Sequence, residues 1–297
     1  MTYTNKYNLP PEIVSVLTRD RYNPDGRDLG DYSATTICAP IQQTILKRRH
    51  PEQLKIQDVI DSFWAFTGSI AHAILEEQAV SDALVENRFF ASVMGKKISG
   101  CIDHYKDGII TDYKTTKSYK VMRGDYSDWE KQLNVYAYLT ENNGWPVEKL
   151  RIFVFILDWK QAEMYKPNYP ACPIVELPLR LWTPIQRDEF MIRRVGKLIE
   201  SEQFKDELLP PCTDKEMWRD VKDYAVMKEG QKRAVKCYED KTSSLTHNLK
   251  CGEVVVKRMT ARTRCHNYCV AAPLCTQHKQ ELAAEGGYVD DGEPCIF

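Results

Sequence analysis

The dipeptide Asp107-Gly108 constrains this chain more than any other pair of residues in it. It lies between Lys97–Lys106 and Ile109–Lys114, two stretches that alternate enough to be strands. A two-residue hairpin turn of type I′ needs positive φ at both positions, which Asp-Gly accepts readily. With the turn there, Lys106 pairs with Ile109, Tyr105 with Ile110, His104 with Thr111, and Asp103 faces Asp112. Two carboxylates opposed across strands repel unless something cationic lies between them. Side chains two residues apart share a face, so Lys114 joins them. Mg²⁺ favours one or two carboxylates together with waters and a substrate phosphate. A lysine beside such a cation orients a water and stabilises charge on phosphate. A D-x-K taken alone also fits a surface hairpin whose charges pair in solvent.

The 297 residues are enough for one large domain, or one domain and an appendage. A net charge of −1 gives none of the basic excess usual in nucleic-acid binders, so any contact to phosphate has to come from a local patch. Residues 1–10 show no charged segment leading into an apolar one, so no signal peptide is expected. No apolar run is long enough to cross a bilayer. A cytoplasmic protein with reduced thiols and no membrane partner follows, and clustered cysteines there point to metal.

Periodicity predicts a helix from Ile56 to about Val80 and short strands with turns over 87–115. It then predicts a helix from Asp125 to Leu139, a buried strand at Arg151–Leu157, another strand at Ile174–Leu179 and a helix from Arg187 to Lys205. Beyond Pro210-Pro211 apolar residues thin out, and charges and cysteines take over. That part reads as a poorly packed tail in need of a staple. The expected fold class is α/β with a mixed sheet, divided into residues 1–205 and a Cys-rich region 206–297.

Two flanking motifs turn the hairpin into a site. Gly68, His72 and Glu76 recur at four-residue spacing on one helical face. Downstream, Gln132, Leu133 and Tyr136 open the next helix. In order, G-x3-H-x3-E, G-x-x-D (Gly100, Asp103), D-Y-K (Asp112, Tyr113, Lys114) and Q-L-x-x-Y resemble the RecB-like branch of the PD-(D/E)XK nucleases. Asp158-Trp159 and the block Pro210–Met227 extend the likeness toward phage and prophage nucleases. These are related to CRISPR-associated adaptation nucleases and to the AddB nuclease domain.

The resemblance implies a restriction-endonuclease-like core with a mixed central sheet flanked by helices. It implies metal-dependent hydrolysis of DNA phosphodiesters that leaves a 5′-phosphate. His72, Asp103, Asp112 and the carbonyl of Tyr113 would hold Mg²⁺ or Mn²⁺, and Lys114 would position the attacking water. Gln132 would contact substrate or orient Lys114, Tyr136 would support the site or touch DNA, and Glu76 would orient His72 or Lys114. An exonuclease acting in recombination or phage DNA processing is the first expectation, with bacterial cytoplasm as its setting and a helicase or recombinase as a conceivable partner. A structure-specific or single-strand endonuclease and a non-cleaving DNA-end scaffold are the alternatives. No subunit interface is readable, so the oligomeric state is open.

Cys265, Cys269 and Cys275 follow as C-x3-C-x5-C. Three thiolates need a fourth partner. Cys212 is the first choice and Cys38 the second, with Cys237, Cys251, His266 and His278 also open. The resemblance implies a 4Fe–4S cluster, and structural zinc is the chemical alternative. For phosphate contacts the candidates are Lys117, Lys120 and Arg123, and Arg48 within the run Lys47–His50. Tyr119 and Trp129 are candidates to stack on bases of a single strand.

Overall fold

The computed structural model describes residues 3–19, 29–77, 82–231 and 233–284, the side chains of 71–77 excepted. In chain order the elements are β1 (Tyr3–Thr4), α1 (Pro11–Thr18), β2 (Tyr32–Ser33), α2 (Ala34–Cys38), α3 (Ile41–Arg49), β3 (Gln57–Asp58) and α4 (Phe63–Glu77). Then come β4 (Leu84–Val93), β5 (Lys96–Lys106), β6 (Ile109–Thr116), α5 (Ser118–Arg123), α6 (Ser127–Asn142), β7 (Lys149–Ile156), β8 (Ile174–Leu179) and α7 (Pro184–Ser201). The chain ends in β9 (Val221–Lys228), β10 (Lys236–Tyr238), α8 (Lys241–Leu245), β11 (Glu253–Met259) and α9 (Thr276–Ala284).

The chain divides into two compact units. One takes residues up to Ala39 and Ile56–Gln203, and the other takes Pro40–Lys55 and everything from Phe204 on. The first unit is a mixed α/β layer. Its sheet runs β2-β5-β6-β7-β8, with β4 also paired to β5. β6 and β7 are parallel, so the chain must cross between them, and α6 supplies the crossover. The Asp107-Gly108 turn forms as the sequence predicts, with φ of +48° and +76° and the pairs Lys106↔Ile109, Tyr105↔Ile110 and His104↔Thr111. A second turn of this kind, Met94-Gly95 (φ +49° and +76°), joins β4 to β5.

β7 alternates. Leu150, Ile152, Val154 and Ile156 are buried, while Arg151 and Phe155 on the other face are only partly covered. The uniformly apolar run therefore buries one face instead of two. The helix expected from Ile56 begins later, at Phe63. A short 3-10 turn, Val59–Ser62, precedes it, with Asp58 and Asp61 capping each other's backbone amides. The later helix starts three residues earlier than its periodicity suggests. Thr183 and Gln186 form a capping box around Pro184, a start signal the apolar spacing does not contain.

α6 lies on the sheet through Leu133, Val135, Tyr136, Ala137 and Leu139, all buried. Gly100 makes that approach possible, because a Cβ there would sit 2.7 Å from Leu139 Cδ1 and 3.0 Å from the Tyr136 ring. Buried Asn134 binds α6 to the chain after β8. It donates to the carbonyls of Glu130 and Arg180 and accepts from the Trp182 amide. Buried Arg187 on α7 pairs with Glu141 on α6 and donates to the Trp182 carbonyl.

The second unit is more ordered than a stapled tail. β9 is the centre of a three-stranded antiparallel sheet, β10-β9-β11. α3 belongs to this unit, which separates residues 40–55 from the segment 1–205 expected as one domain. Arg49 and His50 at its end hold Asp206 at 2.5 and 2.6 Å, and the Lys55 amide donates to the Val270 carbonyl. Burial works against ionisation of Asp206, but the hydrogen bonds from Arg49 and His50 outweigh it and lower its pKa. A carboxyl whose pKa is lowered by folding stabilises the fold above its unfolded pKa and loses that contribution as pH falls through its folded pKa.

Two outcomes follow. Gly100→Ala should cost about 1–3 kcal/mol through overpacking, read as a lower urea midpoint at unchanged m-value. Asp206→Asn should lower the melting temperature at pH 7, and the gap to the wild type should close below about pH 4.

Candidate active site and cysteine-lined hollow

Asp112 and Lys114 leave β6 on one face, as period-two geometry requires. Lys114 Nζ stands 2.7 Å from Asp112 Oδ2, and the aspartate side chain is only 2% exposed. That oxygen is buried and lacks any contact of hydrogen-bond geometry, so the lysine approach is an ion pair alone. The Lys114 ammonium balances the charge of that oxygen, and a divalent cation would be held by the same carboxylate.

The β5–β6 ladder stops at His104↔Thr111, one step short of the expected Asp103–Asp112 pair. Beyond it the Tyr113 amide donates to Asp103 Oδ2 at 2.8 Å. The Asp103 carboxylate thus takes the place of a backbone acceptor, which fixes the orientation of the group. Two carboxylates with a lysine fit Mg²⁺ or Mn²⁺, which keep several waters. Among the described residues no group of three or more His, Cys, Asp or Glu side chains is close enough to hold an ion. The side chains of His72 and Glu76 on α4 lie outside the described residues. Gly68, one turn before His72, faces β6, where a Cβ would sit 3.4 Å from Thr115 Oγ1.

Gln132 Nε2 donates to Tyr136 Oη at 2.8 Å. Tyr136 is buried, 7% exposed, so it backs the site and presents no surface to DNA. Its phenol pKa is raised well above the usual value, first by burial and then by the negative charge of Asp112, with Asp103 adding to it. Asp103, Asp112, Lys114, Gln132 and Tyr136 are therefore neighbours. Asp158, after β7, accepts the Ser118 amide at 2.6 Å and so fixes the start of α5, the helix that carries Lys120 and Arg123. Lys117 Nζ lies 5.7 Å from the centre of the Trp64 ring, and Lys120 Nζ lies 5.2 Å from that of Trp129. Trp129 is stacked on Tyr126 at 5.5 Å. Of the run Lys47–His50, Arg49 and His50 serve Asp206, and Arg48 is exposed in the second unit.

Within that second unit, Cys212, Cys265, Cys269 and Cys275 line one hollow with Leu46, Met217, Ala271 and Ala272. The hollow holds about 340 Å³ of empty space, open solvent included. Burial pushes the Cys212 thiol up to about 12 and that of Cys265 to about 11, and it raises Cys269 and Cys275. Gln42 Oε1 accepts from Cys275 Sγ at 3.3 Å and Cys212 Sγ at 3.7 Å. Gln277 grips the Cys212 backbone, accepting from its amide at 2.7 Å and donating to its carbonyl at 3.0 Å. Sequence spacing does not point to these two glutamines, since neither belongs to a cysteine motif. Cys38 lies in the first unit, where burial pushes its thiol up to about 12 despite the Arg194 charge. His278 borders the hollow, and its ring meets that of His266 edge-on at 5.4 Å. Cys237 and Cys251 are exposed and do not line it.

No family model matches the chain, and no curated protein is similar to it in sequence. Among solved structures, SSO0001 is similar at 16% identity and a TM-score of 0.43, over 65% of this chain and 86% of its own. A protein of Eubacterium rectale named as a candidate exonuclease is similar at 16% identity and a TM-score of 0.30, over 68% and 73%. Likenesses at these scores decide neither family nor chemistry. Among the described residues, no helix is long and apolar enough to cross a membrane.

A thiol with a raised pKa stays protonated, and so unreactive, at pH 8. In metal-stripped protein, mass-mapped alkylation should therefore modify exposed Cys172, Cys237 and Cys251 well before Cys212 and Cys265.

Proposed function

We propose that this chain is a divalent-metal-dependent DNA nuclease of the PD-(D/E)XK type, acting first as an exonuclease on DNA ends. The observation that carries this reading is Asp112. Its carboxylate is buried at the end of a ladder, short of hydrogen bonds and faced by Lys114. Asp103 and Asp112 would hold Mg²⁺ or Mn²⁺, with the Tyr113 carbonyl and His72 completing the set that the motif order implies. When bound, the cation acidifies water and neutralises charge developing on the phosphate. The Tyr113 amide keeps Asp103 oriented for that task. Lys114 keeps its proton on Nζ and holds positive charge at the place where the attacked phosphate gains negative charge. Gln132 anchors the Tyr136 hydroxyl, and the buried ring closes the floor of the site against water. Glu76 would orient His72 or Lys114. Lys117, Lys120 and Arg123 are the proposed phosphate contacts beside this site.

The four cysteines line one hollow and would supply the four thiolates of a 4Fe–4S cluster, with one structural zinc as the chemical alternative. Cys212 is the proposed fourth ligand, because it lines the hollow with the other three cysteines. The cluster would join α3 to the C-terminal segment.

Linear, circular and single-stranded DNA should be incubated with the protein and Mg²⁺ or Mn²⁺. Loss of linear DNA alone supports the exonuclease, nicked circles the endonuclease, and binding without cleavage the scaffold. Lys114→Ala should lower the rate roughly 10²–10⁴-fold with an unchanged melting curve. Surviving activity would mean that the site is elsewhere. Protein purified without oxygen should be brown and carry iron and sulfide, and a colourless protein with one zinc per chain would overturn the cluster.

A further inference from the structure

Trp64 is the feature of the first unit that the reading above leaves unused. It stands one turn before Gly68 on α4, the face that meets β6. Its side chain is large and apolar, yet it is 55% exposed. Phe63 meets it edge-on at 5.5 Å and is itself 41% exposed. Lys117 Nζ lies 5.7 Å from the ring centre, three residues beyond Lys114 and just past the end of β6, the strand that carries Asp112. Tyr119, on the first turn of α5, is 68% exposed. Trp129, the other candidate, differs: Tyr126 stacks on it with an interplanar angle of 3°, and Lys120 approaches its ring. Trp129 is half-buried with one face covered by Tyr126, which leaves it less open to a base than Trp64.

We infer that Trp64 and Tyr119 form a stacking platform for the bases of single-stranded DNA, with Lys117, Lys120 and Arg123 meeting its phosphates. The inference rests on the nuclease reading for what lies at the other end of the strand. Aromatic faces and cations side by side match the alternating bases and phosphates of a single strand. In a duplex the base faces are stacked on each other and out of reach of an exposed indole. A duplex would meet only the cations. Distance also fits. Trp64 precedes position 72 by eight residues, roughly 12 Å along a helix axis. That is the length of three or four stacked nucleotides at about 3.4 Å per step. A single strand resting on Trp64 would therefore reach the acidic pair a few nucleotides further on. A protein partner would use the same apolar surface, but it would have no need for three cations, Lys117, Lys120 and Arg123, within one seven-residue stretch.

The test uses the full chain in EDTA at low salt, with fluorescein-labelled oligothymidylate, an abasic strand of equal length and a blunt duplex, read by anisotropy. Trp64→Ala should weaken oligothymidylate binding roughly tenfold and leave the abasic strand and the duplex unchanged. Trp64→Phe should recover most of the loss, because it restores a stacking face. Unchanged oligothymidylate binding in Trp64→Ala would overturn the platform, as would an equal loss on the abasic strand. Cleavage by the wild type separates the two readings. If the wild type does not cleave with Mn²⁺ while the Trp64 dependence of oligothymidylate binding persists, the platform stands and the nuclease reading falls.

Discussion

The hydrogen bond from the Tyr113 amide to the Asp103 carboxylate marks the point on which the candidate site depends. Up to His104↔Thr111 the hairpin is an ordinary antiparallel ladder, set by a turn in which both residues adopt positive φ. One step later a side chain takes over from the backbone acceptor, and regular pairing ends. The acidic pair stands at this break. A continuous ladder would press the two carboxylates together with nothing between them. α6 supports the break from behind. Gly100 lets Tyr136 and Leu139 come close to β5, and Gln132 holds the Tyr136 hydroxyl.

The second unit solves a different problem. Its apolar residues are few, and a small sheet with exposed Val254 and Val256 buries little surface. Polar tethers compensate. Asp206 is gripped by Arg49 and His50, Gln277 closes on the backbone of Cys212, and Gln42 reaches two thiols from α3. Each tether joins residues distant in sequence, so each removes conformational freedom that the thin core does not remove by itself. A cluster held by the four cysteines would act in the same way and more strongly.

Much of this was legible from residue order. The Asp107-Gly108 turn, the register of its first three pairs, the strand at Ile174–Leu179 and the shared face of Asp112 and Lys114 all follow from local rules. Turn chemistry and side-chain alternation act within a few residues, so spacing is enough to read them. The less legible elements start with non-periodic signals. The capping box at Thr183 and the Asp58–Asp61 pair shift helix starts by several residues while the apolar pattern stays the same. The sheet of β9, β10 and β11 was hidden because its strands are short and rich in charge.

Local chemistry therefore determined the hairpin, its register and the set of residues offered to a metal. Tertiary structure alone decided where the ladder breaks and that Tyr136 is a buried support. It also assigned α3 to the C-terminal unit and gathered Cys212 with the other three cysteines. Each of those outcomes depends on contacts between residues far apart in the chain. The spacing of motifs carries no information about such contacts, because loop closure over tens of residues costs almost the same for many alternative pairings.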